Sequence, residues 1–290
     1  MEKLDKEKLR GQRRSHEESL AHDLIMATDE TDLVSLQIRS RFLDFDLSKP
    51  LTAIIIDWAQ PEEEQNFPQD EEKLLELLHS FFEVSTHLAA MAGSTKSMIL
   101  KTLQMADAPI IALKKKGPLQ ENHHIGNLCE LGQALHQYIY EKLKQDVVIG
   151  LGNYYEGSFS AKKSFREATL ALELGKNFDR ESRVFHISNY FLTNLLSSVQ
   201  RPYRKDFLWG TLKPLQNEEE LIKTIEIFFE TNMNISLTAK KLFAHRNTLI
   251  YRLNKVRNLT GLDPKNFHDA IRLYVALKLY YLEQAQVFMD

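Results

Sequence analysis

The chain has 290 residues, 43% of them hydrophobic, and a formal net charge of −3. That length predicts about two domains with ordinary cores, and the small negative charge excludes a surface built as a whole for nucleic acid. A single cysteine, Cys129, excludes an intramolecular disulfide and a cysteine-based zinc cage. No run reaches the roughly 18 apolar residues of a membrane span, and Met1 to Ser19 is too polar for a signal peptide. A soluble, cytoplasmic protein with no membrane partner is expected.

Residues 1–20, rich in Lys, Arg and Glu, read as a solvated helix, with acids roughly balancing bases. His16-Glu17 starts like a zinc-protease helix, but Leu20 stands where the second histidine is needed. From His22 to Phe42 the apolar spacing suggests two short helices around Thr28-Asp29. Thr52 to Trp58 is a β-branched run between Pro50 and Pro61 and reads as a central strand. Pro61 to Asp70 reads as an acidic loop, and Glu71 to Ala92 as a helix laid on the sheet. Ala108 to Leu113 reads as a second strand, with Met98 to Leu103 either its hairpin partner or a short helix. Then follow a helix over Ile125 to Lys144, a third strand over Asp146 to Leu151, a helix from Ser160 to Leu174 stopped by Gly175, and a fourth strand over Arg183 to Ile187. Strands separated by helices of this length imply helices packed against a sheet. Ser188 to Ser198 reads as a further helix, Arg201 to Pro214, with two prolines and Gly210, as a linker, and Glu218 to Glu230 as a helix again.

The stretch Ser236 to Gly261 reads as two short helices with a tight turn. Ser236 can N-cap the first, Leu237 to Phe243, and Asn247 the second. On the second helix Leu249, Leu253 and Val256 share one stripe, with Ile250 and Leu259 at its edges. The opposite side carries Thr248, Tyr251, Asn254, Lys255 and Asn258, flanked by Arg252. Gly261 is a natural stop. Thr231 to Asp263 holds six cations (Lys240, Lys241, Arg246, Arg252, Lys255, Arg257) against one acid, a local formal +5 in an acidic chain. Such a helix pair is the geometry that places side chains in a DNA major groove, although a polar helix face is more often simply solvated. Phe243 sits where many such motifs carry a turn glycine; a bulky side chain is costly at positive φ, so the turn is expected to form differently, one residue later. Asp269 to Glu283 carries a wide apolar band that supports the second helix and can contribute to a dimer.

Ser236-x-Thr238-Ala239-Lys240-x-Leu242, then His245-Arg246-Asn247-Thr248-Leu249 with Tyr251-Arg252-Leu253 and a Leu-Thr-Gly-Leu-Asp ending, resembles the C-terminal helix-turn-helix of the PucR/CdaR-type bacterial transcription regulators. Val148-Ile149-Gly150-Leu151-Gly152, Ser164-Phe165-Arg166-Glu167-Ala168 and Ala171-Leu172-Glu173-Leu174-Gly175 resemble the GGDEF-like domain preceding it in that family. The resemblance spans roughly residues 45–285. It implies an N-terminal helical segment over 1–45, a degenerate GGDEF-like α/β domain over 46–200 with helices on a mainly antiparallel sheet, a linker over 201–217, and an all-α helix-turn-helix domain over 218–290.

The resemblance implies a sequence-specific regulator that binds double-stranded DNA as a homodimer. Arg246, Asn247, Thr248 and Tyr251 have the best access to base edges; Arg252 and Lys255, with Ser236 and Thr238 at the start of the first helix, are assigned to phosphates. A cyclase needs a glycine-rich acidic hairpin, and its nearest equivalent, Met105 to Pro109, has one acid and no glycine. Gly150-x-Gly152 does not complete a phosphate loop, closeness to a neighbouring helix explaining it better, and His123-His124 with Cys129 and Glu130 lacks a second ligand pair and reads as loop surface. No enzyme, cofactor or metal is expected. Family members often carry an N-terminal sensing domain; about 45 residues precede the first strand, too few for one, which leaves a small-molecule effector undefined. The rival reading is a ligand-sensing or protein-interaction adaptor whose helix-turn-helix does not read DNA.

Overall fold

The structure, a computed structural model, describes residues 2–28, 30–58, 71–82, 86–103, 121–157, 159–178 and 182–284. It divides into two compact units, Met1–Phe191 and Leu192–Asp290. In chain order the first holds α1 (Glu2–Met26), α2 (Glu30–Phe42), β1 (Leu51–Asp57), α3 (Glu71–Phe81), β2 (His87–Met91), β3 (Lys96–Thr102), α4 (Glu121–Leu143), β4 (Val148–Leu151), α5 (Ser160–Phe178) and β5 (Val184–His186). A 3-10 turn, Ile187–Tyr190, leads into α6 (Phe191–Ser197).

All seven residues of β1 are buried, the mark of a strand covered on both faces. Their alternation feeds two cores. Leu51, Ala53 and Ile55 meet Leu20 and Leu24 of α1 and Ala168 and Leu172 of α5, whereas Ile54, Ile56 and Trp58 meet Leu74 and Leu78 of α3 and Leu135 and Ile139 of α4. The strand order is β2-β3-β1-β4-β5. Pairing is antiparallel throughout except between β4 and β5, so the unit is α/β with a mainly antiparallel sheet, as expected.

The residues that carry the resemblance in this unit hold α5 to the sheet. A Cβ on Gly150 would lie 2.2 Å from the Ala168 carbonyl oxygen, and one on Gly152 would lie 2.2 Å from that of Ser164. Closeness to a helix is therefore what these glycines provide. At that approach the Ser164 hydroxyl accepts from the Ala53 amide at 2.8 Å and donates to the Asn153 carbonyl at 2.7 Å. One turn on, buried Glu167 accepts from the Asn153 amide at 3.0 Å and the Tyr155 hydroxyl at 2.6 Å. Burial, then the hydrogen bond to this carboxylate, push the Tyr155 phenol well above its ordinary range.

Several expectations need correction. The helix read over Glu71 to Ala92 ends at Phe81, and His87–Met91 is instead an edge strand whose Leu88 and Ala90 face one core while Ala89 faces the other. Met98 to Thr102 belongs to β3, which pairs with β2 on one side and β1 on the other, and is not a short helix. The strand expected at Ala108 to Leu113, Met105 to Pro109 and the loop Pro61 to Asp70 lie outside the described residues. The β2–β3 turn, Ala92 to Thr95, contains no carboxylate. The amino-terminal helix is not merely solvated, because Leu20, Ala21 and Leu24 are in the core. Gly175 does not stop α5; it lies inside the helix, where a Cβ would meet the Phe185 ring at 2.1 Å. His123 and His124 belong to α4 and not to a loop.

The second unit holds α7 (Arg201–Leu212), α8 (Glu219–Glu230), α9 (Ile235–Lys241), α10 (Arg246–Thr260) and α11 (Phe267–Gln284). It is all-α. Arg201 to Pro214, expected as a linker, is mostly helix: Pro202 stands in the first turn of α7, where a missing amide proton costs nothing. Among the described residues no helix is long and apolar enough to cross a membrane.

Gly150→Ala is expected to destabilise the first unit by about 2 kcal/mol, the order of cost of forcing extra volume into a close contact. The check is a lowered urea midpoint; an unchanged midpoint means that α5 can move off β4.

Candidate nucleic-acid interface

The interface is built from α8 inwards. Leu221, Ile222, Ile225 and Phe228 of α8 are buried. At its C-terminus Thr231 lies against α9, its Oγ1 2.6 Å from that of Thr238. Thr238 is wholly buried and also donates to the Asn234 carbonyl at 2.6 Å. Its assignment to a DNA phosphate is therefore withdrawn: the hydroxyl joins two helices and is out of reach of any ligand. Ser236 is exposed but caps nothing. The N-cap of α9 is Asn234, whose Oδ1 accepts from the amides of Ser236 and Leu237, each at 3.0 Å.

The second helix starts two residues earlier than expected, at Arg246. His245 is its cap, accepting the Asn247 amide proton on Nδ1 at 3.2 Å. The stripe Leu249, Leu253 and Val256 is fully buried. The opposite side stands out to water: Arg246, Asn247, Thr248 and Tyr251 are all exposed, Tyr251 by 67%. Gly261 closes the helix in the left-handed region at φ 72°.

Two cations assigned to phosphates have partners inside the unit. Lys255 donates to both carboxylate oxygens of Glu218, at 2.7 and 2.8 Å, and Arg252 pairs with Glu220. The hydrogen bond to Glu218 raises the Lys255 ammonium above its ordinary range. Lys241 lies 3.4 Å from Glu230, and Arg257 3.6 Å from Asp263. Among the described residues no acid pairs with Arg246 or Lys240, so Arg246 leaves its full charge at the mouth of α10.

The turn is the clearest departure. Phe243 does adopt the left-handed conformation, at φ 50°, instead of passing it one residue on. Its amide donates to the Lys240 carbonyl at 3.2 Å and that of Ala244 to Ala239 at 3.0 Å. This bond pair is a Schellman cap, which sets the exit angle of α9 whatever residue occupies it.

A capped short helix, a tight turn and a second helix with one buried stripe and one polar face define a helix-turn-helix unit, here in a chain with an α/β unit on its N-terminal side. The family model of the PucR C-terminal helix-turn-helix domain matches residues 221–279, and that of the GGDEF-like domain matches residues 27–174. The chain is 30% identical to the carbohydrate diacid regulator of Escherichia coli over 90% of its own length and 65% of that protein's. It is 32% identical to the purine catabolism regulatory protein of Bacillus subtilis over 49% of its length and 27% of that protein's. A proline-responsive transcriptional activator of the same species is 26% identical over 51% of this chain and 38% of its own length. The chain belongs to the PucR/CdaR-type family of regulators, and it spans less than two thirds of the length of these relatives.

The sequence missed the Glu218 and Glu220 pairs. The one signal, three consecutive acids at the start of α8, gains its meaning only once α10 is known to pass beside them. Asn234→Ala is expected to cost the second unit about 1 kcal/mol, as loss of a side-chain cap does, and Ser236→Ala to leave the melting temperature unchanged. Thermal melts of the two variants decide which residue is the cap.

Proposed function

We propose that this protein is a sequence-specific DNA-binding transcriptional regulator that reads the major groove with α10. The observation that carries the reading is the rotation of that helix, with Leu249, Leu253 and Val256 fully buried and Arg246, Asn247, Thr248 and Tyr251 exposed at its start. Arg246 suits the paired acceptors of guanine and Asn247 the acceptor–donor pair of adenine; Thr248 and Tyr251 follow along the same face. Ser236, exposed at the first turn of α9, is placed for a phosphate. Arg252 and Lys255 act first as supports of α10 through Glu220 and Glu218, and contact phosphates only by sharing or exchanging those partners.

Recognition of a two-fold site calls for two reading helices, so a homodimer is proposed. Ile271 and Tyr274 of α11, both partly exposed, support an apolar dimer contact. The GGDEF-like unit serves as a relay or dimerisation module and not as a cyclase, which the acid-free β2–β3 turn supports. The names of the relatives suggest metabolite-responsive regulation, and a regulator of transcription acts in the cytoplasm; no effector is assigned to this chain.

The test is fluorescence anisotropy with DNA from upstream of the protein's own gene, against scrambled competitor, at two salt concentrations. Wild type is expected to bind saturably, with log affinity falling by about 0.9 per phosphate contacted for each unit of log salt. Arg246→Ala is expected to lose about 1–3 kcal/mol and to relax specificity at one base pair. Equal, weak binding to every DNA by wild type and variant alike favours the adaptor reading.

A further inference from the structure

Three helices of the second unit end on a left-handed residue. α10 ends on Gly261 at φ 72°, α8 runs into Asn232 at φ 53° followed by the half-buried Met233 at φ 61°, and α9 runs into Phe243 at φ 50°. Glycine takes this conformation without steric cost and asparagine tolerates it, whereas a side chain like phenylalanine pays for the clash of its Cβ with the backbone. The cap bonds at Phe243 are made by backbone groups, so glycine would make them equally well. Nor does burial repay the strain. Phe243 is 99% exposed, the most exposed large apolar side chain of the described residues. The fold thus gains nothing from this ring that a glycine would not supply at lower cost.

Strain held without internal compensation points outward. Phe243 lies in the turn, three residues before Arg246, at the end of α10 that enters the groove in a helix-turn-helix complex. Its neighbours in sequence include Lys240 and Arg246, two exposed cations that no acid pairs with among the described residues, so the surroundings of the ring favour a polyanion over an apolar protein partner. The base-edge feature that suits an apolar ring is the 5-methyl group of thymine, which projects into the major groove.

Resting on the DNA-binding reading above, we propose that Phe243 is a specificity residue, held in its strained conformation to place its ring against a thymine methyl group at the edge of the site read by α10. The contact adds to the hydrogen-bond readout by Arg246 and Asn247. It distinguishes thymine from the other bases through an apolar group and not through charge.

The test uses the full chain and a duplex that the wild-type chain selects from a random pool. Thymines of that duplex are replaced one at a time by deoxyuridine, which removes only the methyl group. For wild type, one replacement is expected to weaken binding about fourfold, the worth of one buried methyl. Phe243→Gly is expected to bind the parent duplex more weakly and to be indifferent to that replacement, with a melting temperature equal to or above wild type. Parent-duplex affinity unchanged in Phe243→Gly, or a deoxyuridine effect that persists in it, overturns the proposal while leaving the DNA-binding reading intact. A lower melting temperature for Phe243→Gly also overturns it, because the ring would then serve the fold. Failure of wild type to enrich any sequence overturns both.

Discussion

Which side chains α10 offers to anything outside the protein follows from how it is held inside. Leu249, Leu253 and Val256 recur at helical spacing and are withdrawn completely from water, worth on the order of 2 kcal/mol each. A rotation of α10 by even one residue would bring one of them to the surface and bury Thr248 or Asn254. The apolar stripe therefore fixes the angular position of Arg246, Asn247 and Tyr251 without touching them. The Thr231–Thr238 hydroxyl pair and the Asn234 cap in turn fix α9, against which α10 packs.

Electrostatics add a second constraint. A count of charges gives a basic stretch of six cations, but charge in a sequence is not charge at a surface. Glu218 and Glu220 neutralise Lys255 and Arg252, and these pairs brace the middle of α10 against the start of α8. What remains outward at the N-terminal end is Arg246, beside a helix terminus that itself carries partial positive charge. Positive potential is thereby concentrated where base edges and the nearest phosphates would lie.

Much of this was legible beforehand. The central place of β1, the buried stripe of α10, its stop at Gly261 and the need for Gly150 and Gly152 to admit a helix all follow from residue type and spacing. What could not be read had identifiable causes. His87–Met91 follows a strong helical pattern in Leu74, Leu77, Leu78 and Phe81, and five residues are too few to announce a change of period. Pro202 and Pro214 look like breaks, but one opens α7 and the other follows its end. Asn234 and His245 are hidden as caps because Ser236 stands beside the first with comparable propensity and Asn247 beside the second with a higher one, and only backbone geometry decides. Phe243 was misread for a sound reason: the rule against bulky residues at positive φ concerns cost within the fold, and it says nothing of what an outside ligand returns.

The cap on α10 carries one more implication. Most helix caps are carboxylates, amides or hydroxyls, whose oxygen accepts without any choice of tautomer. An imidazole that accepts through Nδ1 must, when neutral, hold its single proton on Nε2, so the bond from the Asn247 amide selects one of the two tautomers of His245. The same bond that begins α10 thus leaves an N–H donor on the far side of an exposed ring, one residue before Arg246. A conserved shape in this position is not enough to reproduce it: glutamine or asparagine at 245 can supply the acceptor, but neither presents that donor from a rigid aromatic plane.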